Sequence, residues 1–101
     1  MKKVLIAAAL CIGGAAPALA DLALATSKNC MSCHAVDRKV LGPAFMDVAA
    51  KYREDKGAVD TLANKIIKGG SGVWGPVPMP ANNQVSEADA RKLAAWILST
   101  K

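Results

Sequence analysis

Cys30-Met31-Ser32-Cys33-His34 sets two thiols three positions apart and a histidine directly behind the second. That order suits covalent haem attachment. Each thiol adds across one vinyl group of a porphyrin, giving two thioethers, and the imidazole that follows becomes the proximal ligand of the iron. A five-residue pattern arises by chance often enough that the rest of the chain has to agree with it.

The second iron ligand follows by elimination. His34 is the sole histidine, so bis-histidine ligation within one chain is excluded. Beyond the first residue the methionines are Met31, Met46 and Met79. Met31 sits inside the attachment loop, on the proximal side. Met46 stands among apolar neighbours on a predicted helix and reads as core. Met79 lies in Val77-Pro78-Met79-Pro80, where two prolines restrict the backbone and remove two N–H donors, so the stretch resists becoming helix. Such a strap can hold a thioether in a fixed place, and Met79 is the expected distal ligand. The blander reading is a methionine in an exposed loop.

These groups have to be delivered by the elements around them. Leu22 to about Cys33 is predicted as a first helix, with Leu22, Ala23, Ala25 and Cys30 as inner positions. Gly42-Pro43 interrupts the chain, and Pro43 suits the first turn of a short helix ending near Tyr52. Ala58 to Lys68 repeats apolar residues at Val59, Leu62, Ala63, Ile66 and Ile67 until Gly69-Gly70 stops it. The segment 71–84 carries two glycines and three prolines and must be irregular or extended. Ser86 with Asp89 three residues on is a capping signal for a last helix to about Thr100, its apolar face formed by Ala90, Leu93, Ala94, Ile97 and Leu98. No strand alternation is evident.

The beginning of the chain reads as an export leader. Met1-Lys2-Lys3 is followed by an apolar run from Val4 to Ile12, and Ala18-Leu19-Ala20 places a cut before Asp21. The run is shorter than the roughly 20 residues a membrane span needs. Residues 1–20 are therefore expected to be a signal peptide and 21–101 a single exported domain with no stable membrane insertion. Cys11 leaves with the leader. A lipoprotein reading of Cys11 is disfavoured by Leu10, where a small residue is wanted. Two remaining cysteines fall short of the four thiolates of an iron–sulfur cluster, and no second C-x-x-C pair closes a structural zinc site.

A domain of this size buries only about 60% of its unfolded surface, so a covalent haem would supply missing core. Loss of Lys2 and Lys3 lowers the net charge from +5 to +3. That balance gives no concentrated basic face and no reason to propose nucleic acid.

From Asp21 to Lys101 the chain resembles a small bacterial class I cytochrome c of the c-551/c-552 type. The resemblance rests on the attachment motif, Val40-Leu41-Gly42-Pro43-Ala44, Gly72-Val73-Trp74-Gly75-Pro76-Val77-Pro78-Met79-Pro80, and Ala94-Ala95-Trp96-Ile97-Leu98. It implies an all-α fold, four to five short helices around one covalently attached haem c, with the first and last helices crossing. It also implies a periplasmic, monomeric single-electron carrier rather than an enzyme. Such a carrier works between an upstream quinol-oxidising complex and a downstream reductase or oxidase.

The same resemblance gives roles to individual residues. Pro43 would accept a hydrogen bond from the proximal imidazole. Trp74, which alone reads equally as a core tryptophan, would bond a haem propionate, with Lys65 beside it where relatives carry arginine. Asn82, or Asn83 next to it, would steady the methionine sulfur. Trp96 would pack where the terminal helices cross, opposite Ala25. Val40, Leu41, Pro76, Val77, Pro78 and Ala81 would ring the exposed haem edge, with Lys28 and Lys39 nearby as a charged rim for a redox partner.

Two readings from other classes compete. A thiol–disulfide oxidoreductase would use Cys30 and Cys33, but the βαβ pattern that usually carries that motif is missing. A haem sensor or haem enzyme would need an open distal position, and Met79 argues against one.

Overall fold

The computed structural model describes residues 16–101, with side chains from Leu19 onward. Helices α1 (Ala16–Ser27), α2 (Phe45–Tyr52), α3 (Ala58–Lys68) and α4 (Glu87–Leu98) are joined by irregular segments, with a 3₁₀ turn at Cys30–Ser32. Among the described residues no strand forms, and the all-α expectation holds. No described helix is long and apolar enough to cross a membrane. The expected cut before Asp21 falls inside α1; the leader's residues 1–15 lie outside the described residues.

Helix α3 begins and ends where its periodicity predicts. Its buried positions are Ala58, Leu62, Ala63 and Ile66, and Gly69 closes it by donating its N–H to the Lys65 carbonyl at 2.8 Å. Helix α4 starts at the predicted cap, where the Ser86 hydroxyl accepts from the Asp89 N–H at 3.1 Å. It stops two residues early, because the Ser99 and Thr100 hydroxyls donate back to the Trp96 and Ile97 carbonyls and satisfy the helix end. Arg91 on α4 pairs with Asp60 on α3, tying the outer faces of the two helices.

The first helix differs more from expectation. It stops at Ser27 instead of continuing to Cys33. Thr26 and Ser27 hydroxyls bond back to the Leu22 and Leu24 carbonyls, and Asn29 then adopts a left-handed conformation with φ 67°. The attachment residues consequently leave the helix in a tight turn of their own. Ala25 is fully buried as expected, but Leu22 and Ala23 face outward and Cys30 is half-buried. Pro43 also lies outside a helix: α2 begins at Phe45 with Ala44 as its cap. Phe45 and Met46 N–H groups donate to the Ala35 and Val36 carbonyls, which ties the start of α2 to the loop before it.

The core joins Ala25 of α1, Phe45 and Val48 of α2, Leu62 and Ile66 of α3, and Leu93, Ala94, Trp96 and Ile97 of α4. Helix α4 touches each of the other three. Ala25 and Ala94, nearly free of solvent, supply the small surfaces that let helices pack closely.

Candidate functional site

Beside this core lies a cavity of about 380 Å³, within the usual range of cofactor sites, roughly 300–1,000 Å³. Two stretches of chain supply most of its lining. One runs from Asn29 to Val48 and includes Cys30, Cys33, His34 and Pro43; the other runs from Lys65 to Asn82 and includes Trp74 and Met79. All eight candidate site residues therefore border one space.

The 3₁₀ turn brings Cys30 and Cys33 together, both with free thiols and half-buried. Burial pushes the Cys30 thiol above its ordinary value, opposed by a backbone hydrogen bond within the residue.

His34 is held from several sides. Its Nδ1–H donates to the Pro43 carbonyl at 2.8 Å. A carbonyl can only accept, so Nδ1 carries the proton and Nε2 keeps the lone pair a metal needs. The loop that makes this bond is tied to the attachment turn, since Leu41 and Gly42 N–H groups both donate to the Cys33 carbonyl, at 3.1 and 2.7 Å. Gly42 passes directly beside the ring. A Cβ there would stand 2.5 Å from Cε1 and 2.9 Å from Nδ1, so a side chain at this position would force the ring or the loop to shift. Phe45 covers a further face of the imidazole.

Of the three candidate methionines, Met79 lines the cavity; Met31 and Met46 are not in its lining. Met31 packs against the core, and Met46 is half-buried on α2. The strap carrying Met79 hangs from the end of α3. Gly70 and Met79 exchange both backbone hydrogen bonds, at 3.0 and 2.7 Å. Asn82 fastens the far side of the strap. Its backbone N–H reaches the Ile66 and Ile67 carbonyls, and its Nδ2 donates to the Ile66 carbonyl at 2.8 Å and toward that of Pro80 at 3.4 Å. Asn83 is exposed and outside the lining.

Trp74 stands at the mouth of the cavity, 43% exposed, with the Lys51 ammonium 5.8 Å from its ring centroid. Lys65 also borders the space, its ammonium close to Gly70. Val40, Leu41, Pro76, Val77, Pro78, Ala81 and Lys39 are exposed, while Lys28 is partly covered. The strap's attachment to α3 and the Phe45 cover on His34 were not anticipated from the sequence. A doubled glycine at 69–70, one more than a helix stop requires, is the signal that could have found the first.

The donor set fits a haem. Two thiols, an imidazole with its tautomer fixed and a thioether border a mostly apolar space, and Gly42 and Gly69 sit where a side chain would disturb the residues that carry the imidazole and the thioether.

Comparison with known proteins agrees. Residues 17–101 match the family model described as cytochrome c. The chain is 54% identical to cytochrome c-552 of Hydrogenobacter thermophilus over 101 residues, covering all of both chains. It is 53% identical to cytochrome c-551 of Stutzerimonas stutzeri over 106 aligned positions, again covering both in full. The crystal structure of wild-type Nitrosomonas europaea cytochrome c552 superposes with a TM-score of 0.78 at 54% identity, over 79% of this chain and 99% of that one.

Proposed function

The chain belongs to the cytochrome c family, as a small class I member of the c-551/c-552 type that carries electrons on haem c, and from this we propose a periplasmic single-electron shuttle with His34 and Met79 as axial ligands. The observation that carries the reading is one cavity bordered by Cys30, Cys33, His34 and Met79. Haem c bound there supplies a one-electron iron couple.

The chain's own residues do the rest. Cys30 and Cys33 fix the group covalently. Pro43 holds the His34 ring in one tautomer, with Nε2 directed to ligation. Met79, on a strap paired with Gly70 at the end of α3, would supply the second iron ligand and would leave neither dioxygen nor a substrate a free site. This is the reason to read a carrier and not an enzyme. A thioether as second ligand favours the reduced state relative to a second histidine.

Trp74 and Lys65, which border the cavity, would meet the haem propionates, and Asn82, whose Nδ2 donates to the Ile66 carbonyl, would steady the strap that carries Met79. Val40, Leu41, Pro76, Val77, Pro78 and Ala81 are exposed, and Leu41, Pro76, Val77 and Pro78 also border the cavity, an apolar rim for docking. It suits brief contact with redox proteins, a quinol-oxidising complex upstream and a reductase or oxidase downstream. The working form begins at Asp21 after removal of residues 1–20 and acts as a monomer, free of membrane and nucleic acid.

Expression into the periplasm with haem-attachment machinery tests this. The expected product starts at Asp21, is heavier than its polypeptide by one haem, and shows a sulfur-to-iron band in the near infrared. Haem without that band would point to an open-site sensor; an unmodified dithiol chain would overturn the reading.

A further inference from the structure

Gly69 does more than end α3. Its φ of 71° pairs with a ψ of −164°, a backbone region essentially confined to glycine and different from the left-handed geometry of an ordinary helix cap. That ψ turns the chain so that Gly70 meets Met79 in the paired backbone hydrogen bonds. A second observation is independent of the dihedrals. A Cβ on residue 69 would overlap the Met79 carbonyl oxygen and stand 2.8 Å from both Pro80 C and Ala81 N. These atoms are backbone and cannot swing aside. Since Pro78 and Pro80 carry no N–H, the Met79 N–H is the only donor in that tripeptide, and it is already committed to Gly70.

We propose that Gly69 is the positioning residue of the distal ligand: the missing Cβ lets the Met79–Pro80 peptide seat directly on the end of α3, and this contact sets how firmly the Met79 sulfur is held at the iron. The proposal rests on Met79 being that ligand. A side chain at 69 must lift the peptide away from α3, and the sulfur belongs to the residue that is lifted. The fraction of molecules with the distal position open then rises, and the apparent affinity for an external ligand rises in proportion.

The test uses the haem-loaded protein. Gly69→Ala is expected to weaken the sulfur-to-iron band and to tighten imidazole binding about tenfold. Ala90→Gly is the control, because Ala90 is buried in α4 away from the cavity lining. It should lower the unfolding temperature while leaving band and imidazole affinity at parental values. Met79→Ala separates the two levels of the argument. If it keeps the band, the ligand assignment fails. If it loses the band while Gly69→Ala retains parental band and affinity, only the role of Gly69 fails.

Should Gly69→Ala not accumulate, hydrogen exchange on the parent decides. Saturating imidazole should speed exchange at the Gly70 and Met79 amides and leave the Gly42 amide, which bonds Cys33 on the His34 side, unchanged. Unchanged exchange at Gly70 and Met79 would overturn the proposal.

Discussion

The His34 imidazole and the Phe45 ring lie stacked, with centroids 4.9 Å apart and planes 22° from parallel. Phe45 in turn meets Trp96 edge-on at 5.6 Å and 74°. Phe45 and Trp96 are both buried, so the aromatic series carries the position of α4 through the core to His34. Trp96 was expected to pack where the terminal helices cross, opposite Ala25; its contact with Phe45 gives it a share in seating the site as well.

Phe45→Ala should therefore cost about 3–5 kcal/mol, the usual range for emptying a buried aromatic position. Phe45→Leu keeps much of the volume and should lose chiefly the ring contacts, about 0.5–1.5 kcal/mol each. Denaturant unfolding of both variants checks the ranking. A Phe45→Leu variant as stable as the parent would mean that ring contacts with His34 and Trp96 contribute little.

Gly42→Ala inserts a methyl group 2.5 Å from His34 Cε1. The ring must tilt or the loop must move, and either strains the Nδ1–H bond to Pro43. We expect a loss of stability of about 1–3 kcal/mol, as for overpacking elsewhere, together with faster exchange of the His34 Nδ1 proton in NMR spectra. A variant that loses stability but keeps that proton as protected as in the parent would show that the glycine serves the loop and not the ring.

At the rim of the cavity, Val77 and Leu41 are each 60% exposed. Val77→Glu should slow electron transfer to a verified partner with the absorption spectrum unchanged, because an apolar contact would then have to desolvate a carboxylate. Charge reversal at Lys39 should act mainly on the encounter rate and its dependence on salt. Lys101→Glu, at the far end of the chain, should do little. Equal transfer rates for Val77→Glu and parent across a salt series would move the docking face elsewhere.

Helix α3 and the start of α4 were legible because one local signal decided each: a 3.6-residue apolar repeat closed by glycine, and a serine cap. Where the local signal competed with a tertiary bond, the sequence misled. Pro43 looks like a helix start, but its carbonyl is needed by His34 and its neighbours are drawn to Ala35 and Val36. Leu22 looks like an inner position, yet the left-handed Asn29 ends the helix early and Ala25 takes the buried face. The candidate site residues could be named from residue type and from resemblance. The devices that hold them are backbone contacts, such as Gly70 with Met79 and Asn82 with Ile66, and these leave almost no mark on side-chain pattern.

The bond from His34 to Pro43 spans nine residues, and the pairing of Gly70 with Met79 spans the same interval. Loops of that length close within about 10–100 ns in an unfolded chain. Both lips of the cleft can thus form and re-form on their own, long before distant parts of the polypeptide have met. The slow step in assembling the cleft is expected to be instead the long-range search that brings α1 onto α4, two helices far apart in the chain. The cleft's shape is a local property of two small loops, and its permanence is a property of the termini.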